Sequence, residues 1–298
     1  MVRPSEVARE LGANFLLGFG PFRKWRMRSC RTMSNDLNDQ TKQIWDQFEF
    51  FMTKIGWGNV KGRVIVEIGP GDSIPLGLLF LGAGARQYVA IDRFAGNVAG
   101  VSAQGLYAAL VESAPKELRE GWSYFDIDSA RYPVLEPSRV ELIHQSVEEV
   151  MTRDKIEFAD IIISYNVVEH LQNVEAAFLN MAIMLKSDGQ MIHRVDYGPH
   201  GVWRNCVNPM EFLTVARVLW NMMGSNRGYP NRLRHSQVLQ ALEKCDFQNN
   251  DRAWGHIATN EIESVRSRLP TEQRYLSDSS LMVKDAEIVS TKRRRQGS

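Results

Sequence analysis

Glu67 stands two residues before Gly69, and Gly71 follows Pro70, all directly after the apolar run Val64-Ile-Val. Glycines at the exit of such a run let the main chain approach a ligand closely. A carboxylate at that point repels a pyrophosphate but suits a ligand with a cationic amino group. Asp92, 21 residues after Gly71, ends a second apolar run, Gln87-Tyr-Val-Ala-Ile. An acidic residue there can accept both hydroxyls of a ribose. His170, His193 and His200 are candidate proton acceptors near neutral pH. His170 and His200 rank together as candidates, and Asp196 can orient His200 or hold a second reactant. His193 lies mid-strand, where side-chain alternation sends it into the core or under the helices. The competing reading of His170 is a helix cap or backbone partner, and of His200 a loop histidine bonded to a carbonyl. Arg194, Arg232 and Arg234, with Tyr197, Trp203 and Asn231, are candidate substrate contacts. The arginines can clamp a carboxylate or phosphate, or pair with surface carboxylates.

The glycine pattern is not that of a dinucleotide site, because Ile74 stands where G-x-G-x-x-G needs its third glycine. An NAD-dependent oxidoreductase is therefore disfavoured. E-x-G-x-G, the strand-ending Asp92, Val140-Glu-Leu-Ile-His-Gln-Ser146 followed by Val147-Glu148-Glu149, and Phe158-Ala-Asp-Ile-Ile-Ile-Ser-Tyr-Asn-Val-Val-Glu-His170 occur in that order. Together they resemble the class I methyltransferases that use S-adenosylmethionine (SAM). The resemblance implies a SAM cradle of Glu67, Gly69, Pro70, Gly71, Asp72, Asp92, Ser146, Val147, Ser164 and Asn166, with Ser146 and Val147 at the adenine edge. It also implies that acceptor and methyl meet beyond the fourth strand, beside His170. Segment 197–235 is more loosely similar to a bacterial subgroup linked to glycan and natural-product methylation. That implies a small-molecule or saccharide acceptor, with a hydroxyl as the methylated group and a histidine as base. N- or C-methylation, which needs less of a base, and a SAM-binding partner subunit without turnover are the alternatives. Ubiquinone-pathway O-methyltransferases are similar in this region but carry a carboxylate where Asn166 stands. Glu169 and His170 alone are too few ligands for Mg²⁺, so no metal is expected. No nucleic-acid acceptor is expected either: Ser164-Tyr-Asn-Val167 lacks the Asp/Asn-Pro-Pro-aromatic tetrad that holds a flipped base.

These residues need a scaffold, and the chain supplies a regular one. Buried β-branched runs alternating with amphipathic stretches predict a doubly wound α/β fold. Within the resemblance it is a seven-stranded, mostly parallel sheet whose last strand is antiparallel beside the sixth. Leu37, Ile44, Phe48, Phe51, Met52 and Ile55 recur at helical spacing, with Asn35 or Asp36 as cap. Leu171 to Leu185 carries a second helical face, closed by a turn at Lys186–Gly189 and followed by a strand over Gln190–Asp196. Another helix starts at Ser236, a sixth strand at Cys245–Phe247, and a closing strand over 281–291. Part of the insertion, Pro209 to Met223, is predicted to be helical. The boundaries drawn are a helical cap over 1–58, a methyltransferase domain over 59–292 with a substrate insertion at 197–235, and a disordered tail over 293–298.

Composition fits one large domain with additions. The 298 residues are 44% apolar and carry a formal net charge of +1, so no global field points to nucleic acid. Three separated cysteines, Cys30, Cys206 and Cys245, with no C-x-x-C pair, predict free thiols and a cytoplasmic location. No apolar run is long enough to span a membrane. The basic, aromatic N-terminus, with Arg23, Lys24, Trp25, Arg26 and Arg28, can touch an anionic membrane surface. A packing arm is the favoured reading there, because its glycines and Pro21 spoil a continuous amphipathic face.

Overall fold

Val64–Ile68 is buried along its whole length, so its two faces both need cover. The computed structural model describes residues 4–22, 36–93, 101–122, 138–150, 156–226 and 228–293. Its strands are β1 (Val64–Ile68), β2 (Gln87–Ile91), β3 (Val140–Ile143), β4 (Ala159–Tyr165), β5 (Leu185–Asp196), β6 (Phe247–His256) and β7 (Val283–Lys292). They form one seven-stranded sheet in the order β3-β2-β1-β4-β5-β7-β6. The first five are parallel, and β7 runs antiparallel between β5 and β6. Strand order reverses between β1 and β4, which opens a crevice at their carboxyl ends.

Helices α1 (Pro4–Leu17), α2 (Leu37–Ile55), α3 (Pro75–Gly82), α4 (Val101–Ser113), α5 (Lys116–Gly121) and α6 (Val174–Met184) precede β5. Beyond it come α7 (Arg217–Gly224), α8 (His235–Lys244), α9 (Thr259–Arg266), α10 (Thr271–Arg274) and α11 (Asp278–Met282). The buried stripe of α2, with α3, α4 and α5, covers one sheet face around Ile65, Tyr88 and Ile163. Helices α6 and α8 cover the other, around Val66, Val89 and Ile162. The α2 cap is Asp36, whose carboxylate accepts from the N–H groups of Asn38 and Asp39. A third apolar core joins Trp203, Phe212, Trp220 and Tyr229 of the insertion to Ile262, Val265 and Leu281, with Val7 and Leu11 of α1 packed on it. The basic segment 23–35 and most of the tail, 294–298, lie outside the described residues. No helix among the described residues is long and apolar enough to cross a membrane.

Several expected boundaries differ. Lys186–Gly189 is not a free turn but a register break inside β5, where Ala159 pairs with Leu185 and Ile161 already with Gln190. The helix expected from Pro209 to Met223 is broken into a 3₁₀ turn, Glu211–Thr214, and α7. The Arg232 guanidinium donates to the carbonyls of Leu213 and Val215, taking acceptors that a continuous helix would use. The sixth strand starts at Phe247, after Asp246 turns the chain at φ 63°. The closing strand starts at Val283, because Leu281 and Met282 end α11. Helices α9 to α11 had no counterpart in the sequence reading; their apolar positions are split over three short pieces that only the third core unites.

Arg234 locks the insertion to this frame. It is fully buried, and it donates to the carbonyl oxygens of Tyr197 at 2.7 Å, Leu281 at 3.0 Å and Val283 at 2.6 Å. Burial lowers its pKa to about 10, which still leaves it charged at neutral pH. Arg234→Met orphans three buried carbonyls and is expected to destabilise the protein by about 3 kcal/mol or more in urea denaturation. A loss below about 1 kcal/mol would mean that these bonds carry little of the stability.

Candidate active site

A cleft of about 540 Å³ lies at the carboxyl ends of β1, β2 and β4. Its floor is the glycine loop. Gly69 has φ 72° and Gly71 φ 78°, a backbone region that side chains disfavour. A Cβ on Gly69 would meet Val167 at 2.6 Å, so the loop also needs the missing side chain for space. The Gly71 N–H donates to Asp92 Oδ2 at 2.9 Å, which ties the loop to the end of β2. Pro70 and Asp72 complete this wall of the cleft, which Ser146 and Val147 face from beyond β3. That turn is bolted to the start of α6: Ser146 donates to Glu148, Glu148 accepts from the Asn173 N–H, and Asn180 donates to the Val147 carbonyl.

Glu67 is buried beneath the loop, and its partner is the phenol of Tyr88, which donates to Glu67 Oε2. Burial raises its pKa to about 7; the Tyr88 bond opposes this and nearby Asp92 adds to it. Tyr107, packed in the same core, accepts from the Ile74 N–H at the start of α3. The far wall comes from α2, through Gln43, Ile44 and Gln47, and from Leu17 of α1. Helix α1 is pinned by Asn14, which donates to the Met222 carbonyl and Ser225 and accepts from the Asn226 N–H, and by Glu10, which accepts from Tyr229.

The other end of the cleft is a histidine cluster. The His170 and His200 rings lie 4.9 Å apart. His170 Nδ1 is 2.6 Å from the Gly228 carbonyl, which can only accept, so Nδ1 carries the proton and Nε2 keeps its lone pair. His200 Nε2 is 3.3 Å from Asp196 Oδ2. Burial pulls the Asp196 pKa up, but the His200 bond and the Gly198 N–H hold it below the usual carboxylate value. Asp196 is therefore ionised and accepts from His200 Nε2–H, which leaves Nδ1 as that ring's lone pair. Burial lowers the His170 pKa to about 4, helped by His200, so His170 is neutral at pH 7. The 3₁₀ turn carrying Glu169 and His170 is clamped by Asn231. The Asn231 side chain donates to the Val168 and Leu171 carbonyls, and its N–H donates to the Glu169 carbonyl.

The cleft thus gathers Glu67, Gly69, Pro70, Gly71, Asp72, Asp92, Ser146, Val147, Asn166, His170, Asp196 and His200. Other expected site residues are held outside it. Ser164 is buried within the sheet, 2.7 Å from His193 Nδ1, and burial lowers the His193 pKa to about 4. Arg194 pairs with Asp285, lies over the Tyr165 and Trp254 rings and donates to Asn166 Oδ1, so it steadies the cleft wall from behind. Tyr197 packs under Arg234 and bonds to His235. Trp203 packs against Trp220 at a 51° tilt in the third core. Asn231 and Arg232 face a separate cavity of about 270 Å³. Arg234 is committed to carbonyls. Gln43, Gln47, Tyr88, Gln172 and Arg204 were missed. Gln43 and Gln47, one turn apart beside the apolar stripe of α2, were the available signal; Tyr88 had none short of strand register.

A family model described as a methyltransferase domain matches residues 38–250, well over half of the chain. The chain belongs to this family. Its sheet order and glycine loop are those expected of the class I, SAM-dependent branch. No curated protein matches it in sequence. Among solved structures it is similar to YcgJ from Bacillus subtilis, at 12% identity and TM-score 0.45 over 83% of this chain and 99% of that one. Phosphoethanolamine N-methyltransferase 2 of Haemonchus contortus, in complex with SAM, matches at 14% identity and TM-score 0.45 over 83% and 52%. A SAM-dependent methyltransferase from Mesorhizobium loti matches at 10% and 0.42 over 86% and 99%. Likenesses this distant bear on neither acceptor nor mechanism.

Glu67 makes the ligand-free protein sensitive to pH. The unfolded chain releases this proton near 4.5, whereas the native state holds it to about 7. Between those values the unfolded state binds fewer protons, so native stability falls as pH rises, by about 3 kcal/mol in all from this group. Urea denaturation at pH 5 to 8 is expected to show a shallower decline in Glu67→Gln than in the wild type. Parallel slopes would place the Glu67 pKa at its ordinary value.

Proposed function

We propose that the protein transfers the methyl group of SAM to a hydroxyl of a small-molecule or saccharide acceptor. The observation that carries this reading is the sharing of one cleft by two unlike ends. At one end are the glycine loop, Glu67 and Asp92; at the other are His170, His200 and Asp196. Glu67 would face the cofactor's amino group and Asp92 its ribose, while Ser146 and Val147 would meet the adenine edge. The SAM methyl is already activated on a sulfonium, so the protein's task is alignment in a water-poor cleft and removal of one proton.

His200 is the better base of the two. Asp196 orients its ring and stabilises the imidazolium that forms, whereas burial keeps His170 neutral. In the transfer the acceptor O–H proton passes to His200 Nδ1 and the oxygen lone pair forms the new O–CH₃ bond. The S–CH₃ bonding pair stays on sulfur, leaving the neutral thioether S-adenosylhomocysteine. Helices α1 and α2 would act as the cover over the cofactor, and Arg204, Ser225, Asn226 and Gly228 as the acceptor wall.

Calorimetry with S-adenosylhomocysteine, followed by a screen of radiolabelled methyl transfer to hydroxyl acceptors, tests this. Asp92→Ala is expected to weaken binding by about 1–3 kcal/mol, the range for a charged hydrogen bond. His200→Ala is expected to lower kcat by about 10²–10⁴-fold, the range for a general base, with product affinity unchanged. No heat with S-adenosylhomocysteine would end the reading. Full kcat in His200→Ala would move it to an acceptor that needs no base.

A further inference from the structure

Glu169 is 3% exposed, and neither of its carboxylate oxygens has a hydrogen-bond partner among the described residues. Burial raises its pKa well above the ordinary value and the ionised Asp196 nearby adds to this; the backbone N–H groups of Glu169 and Asp196 lie close enough to offset part of it without reaching hydrogen-bond geometry. A buried acid left this way needs a proton or a cation. His170 and His200 stand beside it: one ligand atom from each of the three residues lies within 4.8 Å of the others. The sequence counts only two ligands at this turn; the fold brings the third from beyond β5.

The outer contacts match those of metal-binding histidines. A ligating imidazole characteristically donates its second nitrogen's proton to a carboxylate or a backbone carbonyl, which fixes the tautomer. His170 does so to Gly228 and His200 to Asp196, leaving Nε2 of one and Nδ1 of the other with lone pairs. Asn231 holds the turn that carries the first two ligands.

We propose that Glu169, His170 and His200 bind a divalent first-row transition cation at the acceptor end of the cleft. Two imidazoles and one carboxylate favour zinc-like ions over magnesium or calcium, which prefer all-oxygen sets. Three protein ligands leave a coordination position open, as catalytic rather than structural sites do. Ligand atoms around a tetrahedral zinc at ~2.0–2.1 Å sit roughly 3.4 Å apart, so the three side chains close in by about an ångström on binding. The ion's task rests on the methyl-transfer reading: an acceptor hydroxyl entering the open position is acidified by the cation and loses its proton to water. In the loaded protein the two histidines are ligands, and the cation replaces His200 as the means of ionising the acceptor.

Chelator-dialysed protein is titrated with Co²⁺, Zn²⁺ and Mg²⁺, and with Cu²⁺ for electron paramagnetic resonance. One equivalent of Co²⁺ is expected to give visible d–d bands that Zn²⁺ displaces and Mg²⁺ does not. Zn²⁺ is expected to raise the Tm, and the Cu²⁺ spectrum to show coupling to two imidazole nitrogens. Glu169→Gln and His200→Gln are each expected to weaken Co²⁺ binding more than ~100-fold, beyond the 10–100-fold typical of losing an outer partner. Absent bands, coupling to fewer than two nitrogens, or binding that survives in both variants would overturn the site. The copper spectrum of the wild type decides even if the variants fail to fold. Calorimetry with S-adenosylhomocysteine separates the two readings. Heat without cobalt bands removes the cation and keeps the methyl transfer; cobalt bands without heat do the reverse.

Discussion

A carboxylate at the exit of β1 has to be buried for the glycine loop to close over it, yet among the described residues its hydrogen-bond partner is a phenol rather than a cation. Tyr88 donates to Glu67 and blunts the desolvation without supplying charge. Much of the sheet's carboxyl edge is organised around that arrangement. The loop turns through two positive-φ glycines directly above Glu67, and Asp92 fastens the loop to the neighbouring strand. On the proposed reading, the cofactor's amino group would supply the counter-charge that the Tyr88 phenol does not. Stability and affinity are thereby opposed at one residue, as is common where a site is preorganised for a charged ligand.

The opposite end of the cleft is assembled differently. Asp196 is held by the end of β5, but His170 and His200 come from the turn after β4 and the loop beyond β5, and residues of the insertion position the His170 turn. Gly228 sets the tautomer of His170, Asn231 fixes the turn before it, and Arg234 anchors the insertion to the strands. Helix α1 then reaches across through Glu10 and Asn14 to brace the same insertion. The end built on the glycine loop is thus local in sequence, whereas the histidine end depends on packing between distant segments. That division suits a fold in which one donor is fixed and acceptors vary by loop replacement.

The same division explains what the sequence discloses. Glu67, the glycines, Asp92 and the turn at Ser146 are legible because each lies at or just past the carboxyl end of a strand, and strand exits in a parallel sheet converge on one edge. His170 and His200 are legible as residue types, but their separation of 4.9 Å depends on how the insertion folds back. The arginines mislead for a physical reason. Arg232 and Arg234 look like anion clamps beside the cleft, but the broken helix at Val215 and the chain entering β7 leave buried carbonyls that need donors. A guanidinium with five N–H groups satisfies several such acceptors at once, and nothing in a linear sequence marks which carbonyls will be orphaned. Ser164 misleads by parity: strand alternation turns it inward to His193, away from the cleft that Tyr165 and Asn166 reach.

Two buried glutamates therefore stand at opposite ends of the structure's main cleft, Glu67 in its lining and Glu169 behind the lining residues His170 and His200, and each lacks an ion-pair partner among the described residues. Burial leaves each the choice between a proton and a cation. They differ in what surrounds them. Glu67 has a phenol and a main-chain loop nearby, which suits an organic ammonium arriving with the donor. Glu169 has two imidazoles whose outer nitrogens are already engaged, which suits an ion that takes lone pairs. A primary ammonium has three N–H groups and can meet the same three acceptors, but it forms no coordination bond and offers no open position to an acceptor hydroxyl. The arrangement of acceptors, more than the charge, is what distinguishes the chemistry expected at each end.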